Sequence, residues 1–516
     1  MTHGTIHRRQ LLRIGGGLSM LGAAAPFAAQ LVAAGNAASQ SAPDYKALVC
    51  VFLFGGNDSH NMVLATDSDS WGRYFAARNT GNDPIALMPV GTPPTPVGAT
   101  NSVTGRVAEA ASPEAWGGVL PIVPRTVQAI PAGTNASVRT FAVHPFMAPV
   151  KTLFDAGRLA VVANVGTLIR PITKTQYEAR TVAFPANLFS HNDQQSTWQA
   201  GQTEGARTGW GGRFGDLLTS LNGTGSLFTA VSTAGNAVFL SGQNVVQYQM
   251  STGAQPAVVI TGQSGASLFG STVAPGRVRD IIQDTSSASL FAADYATTTG
   301  RSIAASSTLN SVFASSGVTS VPMAPAYRNP ITGATETNSL AVQLQAVARM
   351  IAAAPTLGVK RQIFFVSLGG WDTHDFQNTA QANNLSKVAH ALAYFDGALG
   401  NLAGVNMREA VTTFTASDFS RTFTTNGDGT DHAWGGHHLV MGGSVRGGDI
   451  YGQYPTLGVD LGTFRNPDMS RSYLVPTTSV DQYGATMGRW LGVSEPNLDT
   501  IFPNLRNMAS RGLGFV

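Results

Sequence analysis

Cysteine is almost missing from this chain of 516 residues: there is one, Cys50, so no internal disulfide can form. A disulfide framework is therefore excluded as the source of stability, and a packed core has to supply it. Charge is also sparse, at 12% of residues, with 32 basic against 29 acidic. Three of the basic residues (Arg8, Arg9 and Arg13) fall within residues 1–38, which hold no acid, so the remainder carries 29 of each sign. A chain balanced in this way lacks the basic footprint from which nucleic-acid binders draw affinity, which argues against nucleic acid as a partner. Long apolar runs are missing as well. The stretch after Arg13 is interrupted by glycines, Pro26 and Gln30. A membrane span needs about 20 continuous apolar residues, so no transmembrane anchor is expected in the mature chain.

What the N-terminus does have is His7-Arg8-Arg9-Gln10-Leu11-Leu12-Arg13, a weakly apolar Gly/Ala stretch, and small residues at Gly35, Asn36, Ala37 and Ala38. Paired arginines, a mild apolar region and a small-residue cleavage zone are the parts of a twin-arginine export signal. Residues 1–38 are therefore expected to be a signal peptide, with the twin-arginine translocase as partner and a periplasmic or secreted destination. That route carries proteins already folded, often with their metals, which suits a chain without disulfides. Cys50 lies in the apolar run Ala47–Phe54 and reads as a small buried hydrophobe.

Residues 39–516 are expected to form a single α/β domain, with a mostly parallel central sheet flanked by helices. Continuous apolar runs at 46–54, 159–165, 362–368 and 410–415 have the length and composition of strands buried on both faces. Helical periodicity is readable at 147–156, 339–354 and 382–402, and His390 on the last of these reads as structural. The middle, about 217–335, is rich in Gly, Ser and Thr and poor in charge. It is expected to be an insertion or cap, with Val258-Val259-Ile260 and Leu290-Phe291 as side chains to bury.

Ligands of open α/β sheets bind where the loops leave the strand ends. The first strand is followed by Gly55-Gly56-Asn57-Asp58-Ser59-His60, and the second, at some distance, by Phe189-Ser190-His191-Asn192-Asp193. The third leads into Gly369-Gly370-Trp371-Asp372-Thr373-His374, the fourth into Ser417-Asp418-Phe419-Ser420-Arg421 and then Asp431-His432-Ala433-Trp434-Gly435-Gly436-His437-His438. Imidazole and carboxylate groups at four strand ends suit one or two divalent cations, with zinc, manganese or calcium among the candidates. Any one of these groups alone reads as a hydrogen-bonded turn or a helix cap.

Taken in order, these motifs resemble an exported family of unknown function that is grouped with the sulfatases in the alkaline phosphatase superfamily. The resemblance spans most of residues 46–455. It implies an alkaline phosphatase-like fold and metal-dependent hydrolysis of phosphate or sulfate esters, small-molecule or glycan. By position it implies metal ligands at Asp58, Asp372, His374 and Asp418. His437 or His432 would complete the set, with Asp431 of the Asp431-His432 dipeptide as a further candidate ligand, and Ser190 would be the attacking hydroxyl at a helix start. Phe419 stands where a ligand histidine usually follows, and Asp372-Thr373-His374 is spaced more tightly than usual. No Cys-x-Pro-x-Arg is present, which argues against a formylglycine sulfatase. His60 and His191 are expected as supporting or substrate contacts, and Arg421 as a partner for non-bridging oxygens. Two cations about 4 Å apart would neutralise such a substrate and steady its leaving oxygen. The alternatives are a transferase or phosphodiesterase on the same scaffold, or a non-catalytic, metal-stabilised binding or envelope protein.

Overall fold

A computed structural model describes residues 44–131, 134–253 and 267–516. The arginine pair, the small residues at 35–38 and Val258-Val259-Ile260 lie outside the described residues.

Among the described residues the central sheet has nine strands: β1 (Lys46–Leu53), β2 (Leu159–Gly166), β3 (Ala230–Ser232), β4 (Tyr248–Gln249), β5 (Arg361–Leu368), β6 (Val411–Ser417), β7 (Gly436–Met441), β8 (Ile450–Tyr451) and β9 (Thr478–Ser479). Their order is β8-β2-β7-β6-β1-β5-β3-β4, with β9 also on β2. Every pairing is parallel except the two made by β7, with β6 and with β2. The mixed α/β class and the mostly parallel sheet are therefore as expected.

The β1 sequence accounts for its place at the centre. Leu48, Cys50 and Phe52 point into one core with Trp210, Phe214 and Tyr483. Ala47, Val49, Val51 and Leu53 point into a second core with Leu344, Val347, Leu385 and Leu392. Side chains alternate between faces along a strand, so burial on both sides demands an unbroken apolar run. The helices that use these faces are α1 (Ser68–Arg78), α2 (Ala148–Asp155), α3 (His191–Ala200), α4 (Trp210–Leu218), α5 (Leu290–Phe313), α6 (Ser339–Leu357), α7 (Gln377–Leu399) and α8 (Val480–Leu491). Helices α2, α6 and α7 cover one side of the sheet, α4 and α8 the other. Helix α6 is apolar and long enough to cross a membrane, but 72% of it is buried inside the protein, as in a core helix.

The Gly/Ser/Thr-rich stretch at 217–335 divides in two. Its first part supplies β3 and β4, which extend the central sheet beside β5. Its second part is largely helical, and α5 packs Ala305, Leu309, Val312 and Phe313 into the main core. Leu290 and Phe291, expected to be buried, are instead 86% and 90% exposed. They occupy the first turn of α5, ahead of the part that reaches the core.

Strand register sets the site. Leu53 of β1 pairs with both Leu368 of β5 and Ser417 of β6, so the loops after these strands leave at one level. Because β7 runs the other way, the residues that precede it enter at this same edge. Gly55 and Gly56 have φ of 119° and 86°. A Cβ on Gly55 would lie 2.5 Å from the Asp372 nitrogen, and one on Gly56 2.6 Å from the Phe419 ring. Only glycine lets these loops close on each other.

Candidate metal centre

Four side chains from three loops converge at this edge. His191 is the first residue of α3, Asp372 and His374 follow β5, and His432 precedes β7. The Nε2 atoms of His191 and His432 are 3.1 Å apart, and those of His374 and His432 2.9 Å. Oδ1 of Asp372 lies 3.4 Å from His191 Nε2, 3.2 Å from His374 Nε2 and 3.4 Å from His432 Nε2. Donors about 2.0–2.1 Å from a cation, in a tetrahedron, stand about 3.3–3.4 Å apart. The five spacings, 2.9–3.4 Å, are close to those edges, and His191, Asp372 and His432 form a mutually close set that could hold an ion.

The other ring nitrogens decide what these atoms are. His191 Nδ1 donates to Asp418 Oδ2 at 2.7 Å, His432 Nδ1 to the Phe189 carbonyl at 2.7 Å, and His374 Nδ1 to Asp431 Oδ1 at 3.2 Å. Carbonyl and carboxylate oxygens only accept, so each Nδ1 carries the ring proton. In the neutral rings, three Nε2 lone pairs then face one another and a carboxylate oxygen. The His374 lone pair also meets an Arg421 N–H at 3.4 Å; lone pairs facing one another otherwise repel unless a cation or an added proton lies between them, and outer partners orient ligand histidines in this way. Phe189 presents its carbonyl from a left-handed backbone, at φ 73°. The ring of Phe419 packs 4.8 Å from His191 and 4.6 Å from His432, between centroids. Phe419 thus forms a wall of the centre.

Electrostatics follow from these contacts. The hydrogen bond and charge of Asp418 outweigh burial and raise the pKa of His191. Burial lowers that of His432, with the Arg421 charge acting the same way. Burial pushes the Asp372 carboxyl up, but Arg421 more than offsets it and leaves the group below its ordinary range. The side chains of Asp372 and His374 are about half exposed, so the centre is open on that side.

The remaining expected site residues lie elsewhere. Asp58 is fully buried and holds Arg78 through two contacts, of 2.5 and 3.0 Å, while Gln377 donates to it at 2.6 Å and His60 N–H at 3.1 Å. Its carboxylate is taken up by these partners rather than by the converging group. Asp418 stands one step behind the centre, where its Oδ2 also accepts from Gln195 at 2.8 Å and from Gly55 N–H at 3.2 Å. Asp431 likewise backs His374. At His437, Nδ1 accepts from the Asn164 N–H at 3.1 Å, so the ring proton sits on Nε2 and no lone pair remains for a cation. His437 and His60 are buried, and burial holds both pKa values well below the ordinary value.

Arg421 is spent on the backbone rather than on the open face. It donates to the carbonyls of Gly55, Gly56, Trp371 and Thr430 at 2.6–3.1 Å, to Asp372 Oδ1, and to His374 Nε2 at 3.4 Å. It ties three loops together and fixes the Asp372 oxygen. Ser190 precedes α3, with its hydroxyl donating to Asp193 Oδ2 at 2.9 Å. His390 bonds Asn338 at 3.2 Å, as a structural histidine does.

Sequence reading passed over Gln195, Gln377 and Arg78. Gln195 lies four residues after His191, one helical turn along the same face, and that spacing was an available signal. Nothing local marks the other two.

Across residues 45–502 the sequence matches the family described as "Protein of unknown function (DUF1501)", and the chain belongs to that family. No curated protein matches it.

Proposed function

We propose that this member of the DUF1501 family is an exported, metal-dependent hydrolase of phosphate or sulfate esters on an alkaline phosphatase-like scaffold. The observation that carries the reading is the set of three Nε2 lone pairs and one carboxylate oxygen facing inward, each ring fixed from behind by an oxygen acceptor. Three nitrogens and one oxygen suit zinc or manganese better than calcium, which prefers oxygen alone. A bound divalent cation supplies charge neutralisation for the ester and acidifies a coordinated water. The chain's own part is orientation: Asp418, Asp431 and the Phe189 carbonyl hold protons on Nδ1, and Arg421 steadies Asp372. With Asp58 held by Arg78, a single cation is favoured over a pair. Ser190, beside His191 and hydrogen-bonded to Asp193, is the proposed attacking hydroxyl. Export through the twin-arginine translocase to the periplasm or beyond is part of the same proposal and rests on Arg8-Arg9.

The test is metal analysis of protein exported by its native route, together with a screen of phosphate monoesters, phosphate diesters and sulfate esters. The expected result is about one divalent ion per chain, lost in His374→Ala and His432→Ala, with turnover of one ester class lost in parallel. Protein free of transition metal after native export would overturn the reading. A second reading follows from the donor count: were His191, Asp372, His374 and His432 all to bind the ion, they would fill a tetrahedral shell, as in structural sites. Chelation that lowers the thermal midpoint, with no ester hydrolysed by the loaded protein, would select a metal-stabilised binding or envelope protein.

A further inference from the structure

Gln377 opens α7 and is buried, yet it bonds to three separate loops. Its Nε2 donates to Asp58 Oδ2 at 2.6 Å. Its Oε1 accepts from Thr373 Oγ1 at 3.2 Å and from Thr430 Oγ1. Its backbone N–H donates to the Asp428 carbonyl at 3.0 Å. Thr373 lies between Asp372 and His374, and Thr430 lies two residues before His432. These two threonines are themselves joined, Thr430 N–H to Thr373 carbonyl, at 3.0 Å.

Behind Gln377 stands an ion pair with no exposure at either side chain, Asp58 with Arg78. Arg78 also donates to the carbonyls of Thr422 and Phe423, each at 2.8 Å, and to Asn61 Oδ1 at 2.9 Å. The polarity of the amide follows. Asp58 only accepts, so Nε2 must face it, and both hydroxyls must then donate to Oε1. Glutamate would set a carboxylate against Asp58, and an apolar residue would leave all three partners without it.

We propose that Gln377 is a positioning residue of the metal centre, transferring the fixed Asp58–Arg78 pair to the two loops that carry Asp372, His374 and His432. The inference rests on the reading of those residues as metal ligands. It gives the Gly55-Gly56-Asn57-Asp58 motif a role in that centre without making Asp58 a ligand. Metal–donor distances tolerate about 0.2 Å, so a small relaxation of either loop weakens binding. Loss of outer partners typically costs 10–100-fold in metal affinity.

The experiment is a zinc competition titration with a chromophoric chelator on the mature protein, well below its thermal midpoint. Wild type is compared with Gln377→Met, Gln377→Glu, Thr430→Val and Thr430→Ser. A destabilisation control is Asn222→Ala, a buried amide that bonds the backbone of Lys360 and Arg361 at the far end of β5. Gln377→Met and Gln377→Glu are expected to weaken zinc about 10–100-fold and Thr430→Val about tenfold. Thr430→Ser, which keeps the hydroxyl, and Asn222→Ala are expected to bind as wild type does. Should Gln377→Met fail to fold, the Thr430 pair decides. Wild-type affinity in both Gln377→Met and Thr430→Val, or equal weakening in Asn222→Ala, overturns the positioning role. Wild type that takes up no zinc overturns the metal centre itself, and this inference with it.

Discussion

At His432 the ring proton is directed to the Phe189 carbonyl, and Nε2 is left to face the other donors. At His437 the Asn164 N–H reverses the assignment and leaves the ring proton on Nε2. A single backbone donor thus separates two histidines five residues apart, and this sorting works at the scale of one proton. Ser190 poses the sharper question. It occupies the N-cap position of α3, but its side chain caps no backbone N–H and donates to Asp193 instead. A capping role, worth about 1 kcal/mol, therefore has no bond behind it here, whereas an attacking hydroxyl would have a carboxylate beside it to take its proton. Ser190→Ala is expected to lower ester turnover by several powers of ten, with bound metal and thermal midpoint near wild type. Retained turnover would remove Ser190 from the chemistry. Thr197 would be a poor substitute, because its hydroxyl is committed to the Asp193 carbonyl at 2.7 Å.

Among the elements, α8 carries a buried charge problem of its own. Ser479 and Gln482 close its first turn as a capping box, and Asp481 sits inside that turn. Burial pushes the Asp481 carboxyl up to about 7, only partly countered by the Asn504 N–H and the charge of Arg213. Between about pH 4 and pH 7 the folded chain holds a proton that the unfolded chain has lost, so stability falls as pH rises through that window. Three units at about 1.4 kcal/mol each set an upper bound of about 4 kcal/mol on the effect. Asp481→Asn is expected to melt progressively higher than wild type as pH is raised from 5 to 8. Parallel pH profiles for the two proteins would show that Asp481 is not the source. How far such elements can be read from sequence depends on burial symmetry. Strands β1, β2, β5 and β6 were legible because both faces are apolar. Strands β3 and β4 were not, being three and two residues long among Gly, Ser and Thr. The centre was legible as a set of motifs at strand ends, but its membership was not. Asp58 pairs with Arg78 at the end of α1, and Asn164 of β2 reaches His437 of the neighbouring strand β7; neither contact leaves a local pattern.

For the whole molecule, the two cores on either side of one sheet, the lone buried Cys50 and the balance of 29 basic and 29 acidic residues beyond residue 38 point the same way. Such a chain has no need of an oxidising compartment to fold, since no disulfide has to form. The proposed metal centre, assembled from loops that meet only after the sheet is complete, would also require folding before loading. The proposed twin-arginine export of the finished protein would accommodate both demands, whereas a route that threads an unfolded chain would part the proposed ligands from one another. The prediction concerns Arg8 and Arg9 changed together to Lys, which keeps the charge but removes the guanidinium pair. Precursor is expected to accumulate in the cytoplasm, uncleaved, protease-resistant and carrying the same divalent metal as the exported wild type. Fractionation, trypsin resistance and metal analysis of the trapped precursor are the measurements. Cleaved double mutant delivered at the wild-type level would exclude the twin-arginine route. A trapped precursor that is folded but metal-free would keep the route and place metal loading after export.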